Sequence, residues 1–149
     1  MVTSYTMLNA ILTDLGSKLL NATTSCGNIK SVVNYPEHPA IPADRNELPK
    51  AYVLPIVEGG GSWYGSPLPG VNADFPITIL VYYELPKESL VLLSQYALNF
   101  VDILYNAGQH SVCGEIVKMD LEFKQWGSGD TLIHMWILKL HIKVLYMNS

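Results

Sequence analysis

Apolar residues recur at helical spacing in two segments of the chain. In residues 4–20 they lie three or four positions apart, which predicts an amphipathic helix with one side against a core. Residues 87–107 predict a second, longer helix, and Gly108 suits the position just after its end. The polar residues of this second helix form one narrow stripe, at Glu88, Gln95, Asn99, Asp102 and Asn106. Its apolar surface is therefore wider than one sheet would normally cover.

Alternation of apolar and polar positions predicts strands elsewhere. Residues 75–84 are apolar on both faces, as is typical of a strand in the middle of a sheet. Residues 29–35 predict a shorter strand. Residues 51–57 also favour a strand, but Pro55 cannot donate to a ladder, so this segment is expected at a sheet edge or with a bulge.

The last part of the chain predicts a β-hairpin. Residues 115–125 and 131–146 both alternate with a period of two, and a glycine-containing turn separates them. If residues 128–129 form the turn, Leu121 lies opposite Trp136 and the apolar sides of both strands face one way. The second strand is long, and we expect it to extend beyond its partner and pair with another chain.

Two stretches rich in proline or glycine, 36–49 and 59–73, predict long irregular loops. No repeat or second core pattern is visible, so residues 1–149 are expected to form a single domain. The order of elements predicts an α+β fold. We expect a mainly antiparallel sheet of four to five strands with two helices packed on one face.

From the composition we also expect part of the surface to be an interface with other protein chains. Apolar residues make up 49% of the 149 residues and charged residues only 15%, against about 25% in a typical protein. The formal net charge of −4 and the single arginine, Arg45, disfavour specific nucleic-acid binding. No apolar run is long enough to span a membrane. Cys26 and Cys113 are expected to be reduced thiols.

Residues that could carry chemistry are scarce, and we expect no catalytic residue, no cofactor and no metal. The glycine-rich residues 59–62 lack the lysine of a phosphate-binding loop. His134 and His141 are an odd number of positions apart on one strand, so they point to opposite faces. Asp120 and Glu122 share a strand face but alternate with lysines, which is typical of a solvated surface.

The order of elements resembles that of the tail terminator (tail completion) proteins of tailed bacteriophages. The parts that carry the resemblance are residues 8–20, 75–84, 87–107 and the 115–146 hairpin. The resemblance implies a homo-oligomeric ring, commonly a hexamer, that caps the tail tube and joins it to the head or neck. The implied partners are the tail tube protein and neck or head-completion proteins. The implied location is the virion tail after assembly in the host cytoplasm, with DNA passing through the ring.

The resemblance has no motif that assigns interface residues, so these are inferred from exposure and pattern. Large aromatic or apolar residues in a glycine-rich loop can reach a neighbouring subunit. The outer face of the hairpin, charged at one end and apolar at the other, can pack against the next subunit. The expected interface residues are Trp63, Tyr64, Leu68, Asp120, Glu122, Ile133, Met135 and Ile137.

Two other interpretations remain open. The chain can be another phage neck, tube or baseplate subunit, since these also assemble rings from small α+β subunits. It can instead be a small ferredoxin-like ligand-binding domain or enzyme, with the glycine-rich loop at 59–73 as a lid. The absence of a converging set of titratable residues in the pattern favours the structural interpretations.

Overall fold

The computed structural model of the chain describes residues 4–22, 24–34, 45–55, 66–67, 73–106 and 115–144. These contain two α-helices, a one-turn 3₁₀ helix at Arg45–Glu47 and six strands. The helices are α1 (Ser4–Asn21) and α2 (Leu90–Asn106). The strands are β1 (Ser31–Asn34), β2 (Lys50–Leu54), β3 (Ser66–Pro67), β4 (Ala73–Pro86), β5 (Glu115–Trp126) and β6 (Thr131–Val144).

The strands form one mixed, mostly antiparallel sheet in the order β1-β2-β4-β6-β5, with the two-residue β3 beside β4. The only parallel pair among them is β1 with β2. The α+β class is confirmed, with six strands where four to five were expected. The edge position expected for residues 51–57 is wrong, because β2 has a partner on each side. It ends at Leu54, so Pro55 is outside the ladder and removes no hydrogen bond from it.

The centre of the sheet is the long antiparallel pair of β4 and β6. They pair over 14 positions, from Ala73 opposite Val144 to Pro86 opposite Thr131. The central position expected for residues 75–84 is confirmed. Strand β6 has β4 on one side and β5 on the other up to Lys143. Residues 145–146, where the predicted extension of this strand would end, lie outside the described residues.

One apolar cluster joins both helices to one set of alternating strand positions, which we call the core face. In β4 and β6 this face carries residues such as Ile79 and Leu138, which pair directly. Ile11, Leu12, Leu15 and Leu19 of α1 are fully buried in the cluster, at the spacing that the sequence predicts. The buried residues of α2 are Leu93, Ala97, Phe100 and Leu104.

The start of α2 is set by a proline and a serine. Pro86 ends β4, and the Lys87 backbone N–H donates to the Asp130 carbonyl across the adjoining turn (2.9 Å). The Ser89 hydroxyl, next to the first helical residue, donates to the Pro86 carbonyl (2.6 Å). The helix therefore begins at Leu90, three residues later than the pattern predicts.

The hairpin is confirmed, but its register differs from the expected one. Phe123, and not Leu121, lies opposite Trp136. Gly127 and Gly129 have φ values of +108° and +104°, which glycine adopts without strain. From Trp126 to Lys118 every pairing is shifted by two from the expected register, which keeps these side chains on their predicted faces. The irregularity between Ile116 and Lys118 reduces the shift to one, and Ile116 is buried in the core cluster instead of pointing to the other face.

A second apolar cluster covers the other side of the sheet, which we call the opposite face. Cross-strand pairs such as Leu80 with Ile137 and Tyr82 with Met135 form its centre. The Tyr52 and Tyr82 rings meet edge to face, with their centroids 5.8 Å apart. The sheet is therefore apolar on both faces, which explains why β4 carries apolar residues at nearly every position.

Candidate functional site

The structure does not bring the eight expected interface residues together. Trp63, Tyr64 and Leu68 lie outside the described residues. Asp120 and Glu122 are exposed on β5, as the sequence predicts for a charged strand face. Their charges are partly matched within the chain, because the Lys118 Nζ lies 3.7 Å from an Asp120 oxygen and the Lys139 Nζ 3.3 Å from a Glu122 oxygen.

Ile133, Met135 and Ile137 are buried within the chain, with only 6%, 2% and 0% of their surface exposed. They belong to the opposite-face cluster with residues of β2 and β4. Alternation in the sequence shows that these side chains share a face, but not that other parts of the same chain cover it. The outward apolar face expected for the hairpin is therefore absent, and these three residues are core residues of this chain.

The exposed apolar surface lies mainly on α2, which the sequence analysis did not select. Among the described residues, six large apolar side chains are exposed, and four of them are on this helix. Their exposed fractions are 60% for Leu90, 84% for Val91, 51% for Leu98 and 66% for Tyr105. The wide apolar arc of the 87–107 pattern contained this signal, but the pattern alone does not show which part of the arc is covered.

Ring contacts show how α2 is turned. Phe100 stacks on Trp136 of β6, with centroids 5.9 Å apart, so this side of the helix faces the sheet. Tyr96 stacks on Tyr83 of β4 at 5.2 Å, and the Asn99 amide donates to the Ser25 carbonyl just after α1 (2.6 Å). One flank of α2 therefore faces β4 and the end of α1. The other flank faces β5, which lies on the far side of β6.

The exposed surface of α2 is divided between these two flanks. Successive residues of a helix are rotated by about 100°. This rotation places Leu90, Val101 and Tyr105 on the flank towards β5. Leu98 and Val91 lie further out, between that flank and the line of the helix that points directly away from the sheet. Of the exposed polar residues, Asp102 lies on the outermost line beside Val91, and Gln95 and Asn106 lie on the other half. Asp102 is the only charged residue in the helix. The half of α2 that overhangs β5 is therefore uncharged.

The core face of β5 continues this apolar surface. Met119 and Leu121 are half-buried against the core cluster, and Phe123 is 36% exposed. We call the combined surface the apolar shelf; it consists of Leu90, Val91, Leu98, Val101 and Tyr105 of α2 with Met119, Leu121 and Phe123 of β5. An exposed apolar surface of this kind is typical of a protein–protein contact.

The outer edge of β5 borders the shelf. In the described part of the chain β5 pairs only with β6, so its other side presents backbone N–H and C=O groups. Such an edge can accept a further strand from another chain. Side chains of an added strand that point to the core face would lie beside the overhanging flank of α2. The shelf and the edge thus form one corner that fits an extended segment of a second protein chain.

The buried polar groups near α2 have a structural role. The Tyr83 hydroxyl donates to the Cys26 carbonyl (2.6 Å) and accepts from the Trp136 Nε1–H (2.9 Å). Burial raises the pKa of Tyr83 above its ordinary value and that of the Cys26 thiol to about 11. At neutral pH both groups therefore stay protonated. The buried His134 lies with its Nε2 3.1 Å from the Pro86 carbonyl oxygen.

The described residues contain no group of three or more histidine, cysteine, aspartate or glutamate side chains that could hold a metal ion. Cys113 lies outside them, and Cys26 forms no disulfide. No helix in the described ranges is long and apolar enough to cross a membrane. Comparison with protein-family models and with curated proteins found no significant match to this chain. Its function must therefore be inferred from its own surfaces.

Proposed function

We propose that this chain is a structural assembly subunit, a phage tail terminator that forms a homo-oligomeric ring on the tail tube and joins it to the head or neck. The order of elements that carries the resemblance to this family is supported by the structure: a helix, strands, a second helix and a closing hairpin. We further infer that both helices cover the same face of the sheet, since α1 and α2 bury side chains in one cluster.

The observation that carries the proposal is the apolar shelf. Leu90, Val91, Leu98 and Tyr105 are more than half exposed and lie on one helix. At about 25 cal/mol for each Å² of apolar surface removed from water, covering several such side chains favours association by several kcal/mol. A subunit of a ring meets neighbours on two sides and the tube on a third, so exposed apolar surface is expected on the free subunit.

Another phage neck, tube or baseplate subunit would need the same surface, and the shelf does not separate it from a tail terminator. A ligand-binding domain or an enzyme would need a pocket lined by polar groups that converge on one point. In the described part of the chain, the buried Tyr83 hydroxyl donates to the Cys26 backbone carbonyl and the His134 ring lies against the Pro86 carbonyl instead. The shelf therefore favours the structural role.

The test is the molar mass of the protein by size-exclusion chromatography with light scattering, alone and with tube protein from the same genome. We expect ring-sized particles when tubes are present, and electron microscopy should show them at tube ends. A chain that ignores tube protein and is stabilised by a small metabolite would contradict the proposal and favour the ligand-binding alternative.

Two variants of α2 provide a matched pair for this experiment. Leu98→Asp places a carboxylate on the shelf, whereas Gln95→Asp places one on the polar half, less than one helical turn away. Both positions are exposed, so both variants should fold. We expect Leu98→Asp to abolish ring formation and Gln95→Asp to leave it intact. Equal assembly by both would show that the shelf is not an assembly surface.

A further double variant tests Trp63 and Tyr64, the loop residues that the sequence pattern places at the interface. Replacing Trp63 and Tyr64 by alanine should weaken assembly and leave the fold intact, because large aromatics in a glycine-rich loop are typical contact residues. Circular dichroism measures the fold and light scattering measures the assembly. Unfolding of the double variant would instead mean that these rings belong to the core.

A further inference from the structure

We infer that two copies of the free protein pair through the outer edges of their β5 strands, antiparallel and across a two-fold axis. Phe123 of one copy then lies opposite Phe123 of the other. The inference goes beyond the proposed function, because it concerns the protein before any tube is present, and the two can fail separately.

The first argument is the length of the edge. Strand β5 has 12 residues, whereas the other edge strand, β1, has four. A long edge is normally blocked by lysines or by a bulge. Here the only register irregularity lies between Ile116 and Lys118, near the start of the strand. From Asp120 to Trp126 the strand is regular, and none of the other strands that the structure describes pairs with its outer edge.

The second argument is the charge pattern. On the opposite face of β5 the charged residues are Lys118, Asp120, Glu122 and Lys124. With Phe123 at the two-fold axis, Glu122, which also lies 3.3 Å from the Lys139 Nζ of its own chain, is opposite Lys124 of the second copy. Lys124 is likewise opposite Glu122 of the second copy. Lys124 thus meets a carboxylate, and Lys118 lies beyond the paired residues. Opposite charges directly across a strand pair stabilise it, and like charges destabilise it.

The register also keeps the bulge out of the new ladder. The seven residues from Asp120 to Trp126 pair with the same residues of the second copy. A register centred on Met119 also brings lysine against aspartate, but it would place the irregular residues between Ile116 and Lys118 inside the ladder. The register centred on Phe123 is therefore the one that the strand geometry favours, and it buries the exposed ring.

The third argument is that this pair covers the shelf. Helix α2 lies over β6, and two β5 strands would lie between β6 and its counterpart. The two α2 helices would then be three strand spacings apart, about 14 Å. Helices in direct contact lie about 8–10 Å apart. The remaining gap is filled by the side chains of the two facing flanks, Leu90, Leu98 and Tyr105, above the paired Phe123 rings.

The electrostatics of α2 agree with this arrangement. Asp102, its only charged residue, lies on the outermost line of the helix, outside the flank of Leu90, Val101 and Tyr105 that would face the second copy. The flanks that approach each other carry no charge, so no ion has to be buried when they meet. A partner rich in basic residues would find no matching carboxylates on these flanks. A second copy of the chain is therefore the occupant that the shelf fits.

The experiment is a charge exchange between two variants, measured by sedimentation equilibrium over micromolar concentrations. The wild-type protein should reach twice the chain mass of 16.5 kDa. Glu122→Lys alone opposes two lysines in each pair, and Lys124→Glu alone opposes two glutamates. Each variant alone should dimerise at least about tenfold more weakly than wild type. An equimolar mixture of the two restores both opposite-charge pairs and should dimerise like wild type.

Lys118→Glu is the matched control. It reverses a lysine on the same face of the same strand, but this position lies beyond the paired residues 120–126. We expect it to dimerise like wild type. Loss of dimer in this control, with no rescue in the mixture, would overturn the proposed register, and a wild-type protein that stays monomeric would overturn the pairing itself.

A covalent cross-link tests the central contact independently. Directly opposed residues in antiparallel strands have Cα atoms about 4.5–5.5 Å apart, which suits a disulfide. Oxidised Phe123→Cys should form a covalent dimer, whereas Glu115→Cys, at the far end of the strand, should not. The wild-type chain controls for its own Cys26, which is buried, and Cys113. Equal cross-linking at both positions would contradict the two-fold pair at Phe123.

Discussion

Tyr83→Phe removes only the hydroxyl oxygen, but we expect it to lower the free energy of unfolding strongly. The Tyr83 side chain is 1% exposed, and its hydroxyl links two other buried groups, the Trp136 Nε1–H and the Cys26 carbonyl. Phenylalanine keeps the ring and its stacking on Tyr96 at 5.2 Å. It leaves both partners without this hydrogen bond in a dry core.

The magnitude follows from these two groups. A buried polar group that loses its partner costs about 1–3 kcal/mol, so the loss for both is about 2–6 kcal/mol of the roughly 5–15 kcal/mol that stabilise a domain. With an m value of about 2 kcal/mol per molar urea, the unfolding midpoint should fall by about 1–3 M. Urea titration followed by circular dichroism at one protein concentration measures this shift.

The control is Tyr105→Phe, because Tyr105 is 66% exposed in the single chain. We expect its free energy of unfolding to stay within a few tenths of a kcal/mol of the wild-type value. If Tyr83→Phe lowers the free energy of unfolding no more than this control, the two hydrogen bonds of the Tyr83 hydroxyl do not stabilise the core, and the prediction is wrong.

Three further changes test other parts of the fold. Gly27→Ala should lower the free energy of unfolding by about 2 kcal/mol or more, because the φ of Gly27 is +87° and an added Cβ would lie 2.8 Å from two tyrosine rings. Gly129→Ala is the comparison, because the φ of Gly129 is +104° but the space around it is open. It should cost about 1 kcal/mol in the same urea assay. The free energy of unfolding should fall as pH rises from 9 to 11, because the unfolded Cys26 thiol loses its proton near pH 9.0 while burial keeps the folded pKa at about 11. In Cys26→Ala the free energy of unfolding should begin to fall only near pH 10, where the tyrosines of the unfolded chain lose their protons. A pH profile identical to that of the wild type would contradict this prediction. Leu121→Asp should lower the melting temperature, because it places a carboxylate on the core face opposite Leu138, and a melting temperature equal to wild type would contradict that placement.

Local patterns predicted the elements well, because their periods come from the geometry of the chain itself. A helix repeats every 3.6 residues and a strand every two, so α1 and the faces of the hairpin could be found from Leu12, Leu15 and the alternation around Phe123 alone. The start of α2 was misplaced because Lys87 has a helix-compatible side chain, whereas its backbone donates across the turn to Asp130. That contact does not appear in any local pattern.

The candidate site was less predictable, because it depends on which apolar surfaces remain uncovered. Ile137 and Leu98 are both apolar residues on amphipathic elements. The structure buries Ile137 against Leu80 and leaves Leu98 half exposed. Burial of this kind depends on residues far apart in the chain. The composition correctly indicated that apolar residues are in excess, but not where the excess lies.

The local pattern was enough to predict the α+β class, the order of the longer elements and the face of most side chains; the bulge that buries Ile116 and the two-residue β3 were not predicted. The predicted features follow from local backbone geometry, which each segment obeys alone. Only the tertiary structure decided the hairpin register, the interior position of β2 and the exposure of the α2 flank beside β5. These depend on long-range contacts, since a turn closes where glycine permits it and a surface is buried only if another segment reaches it.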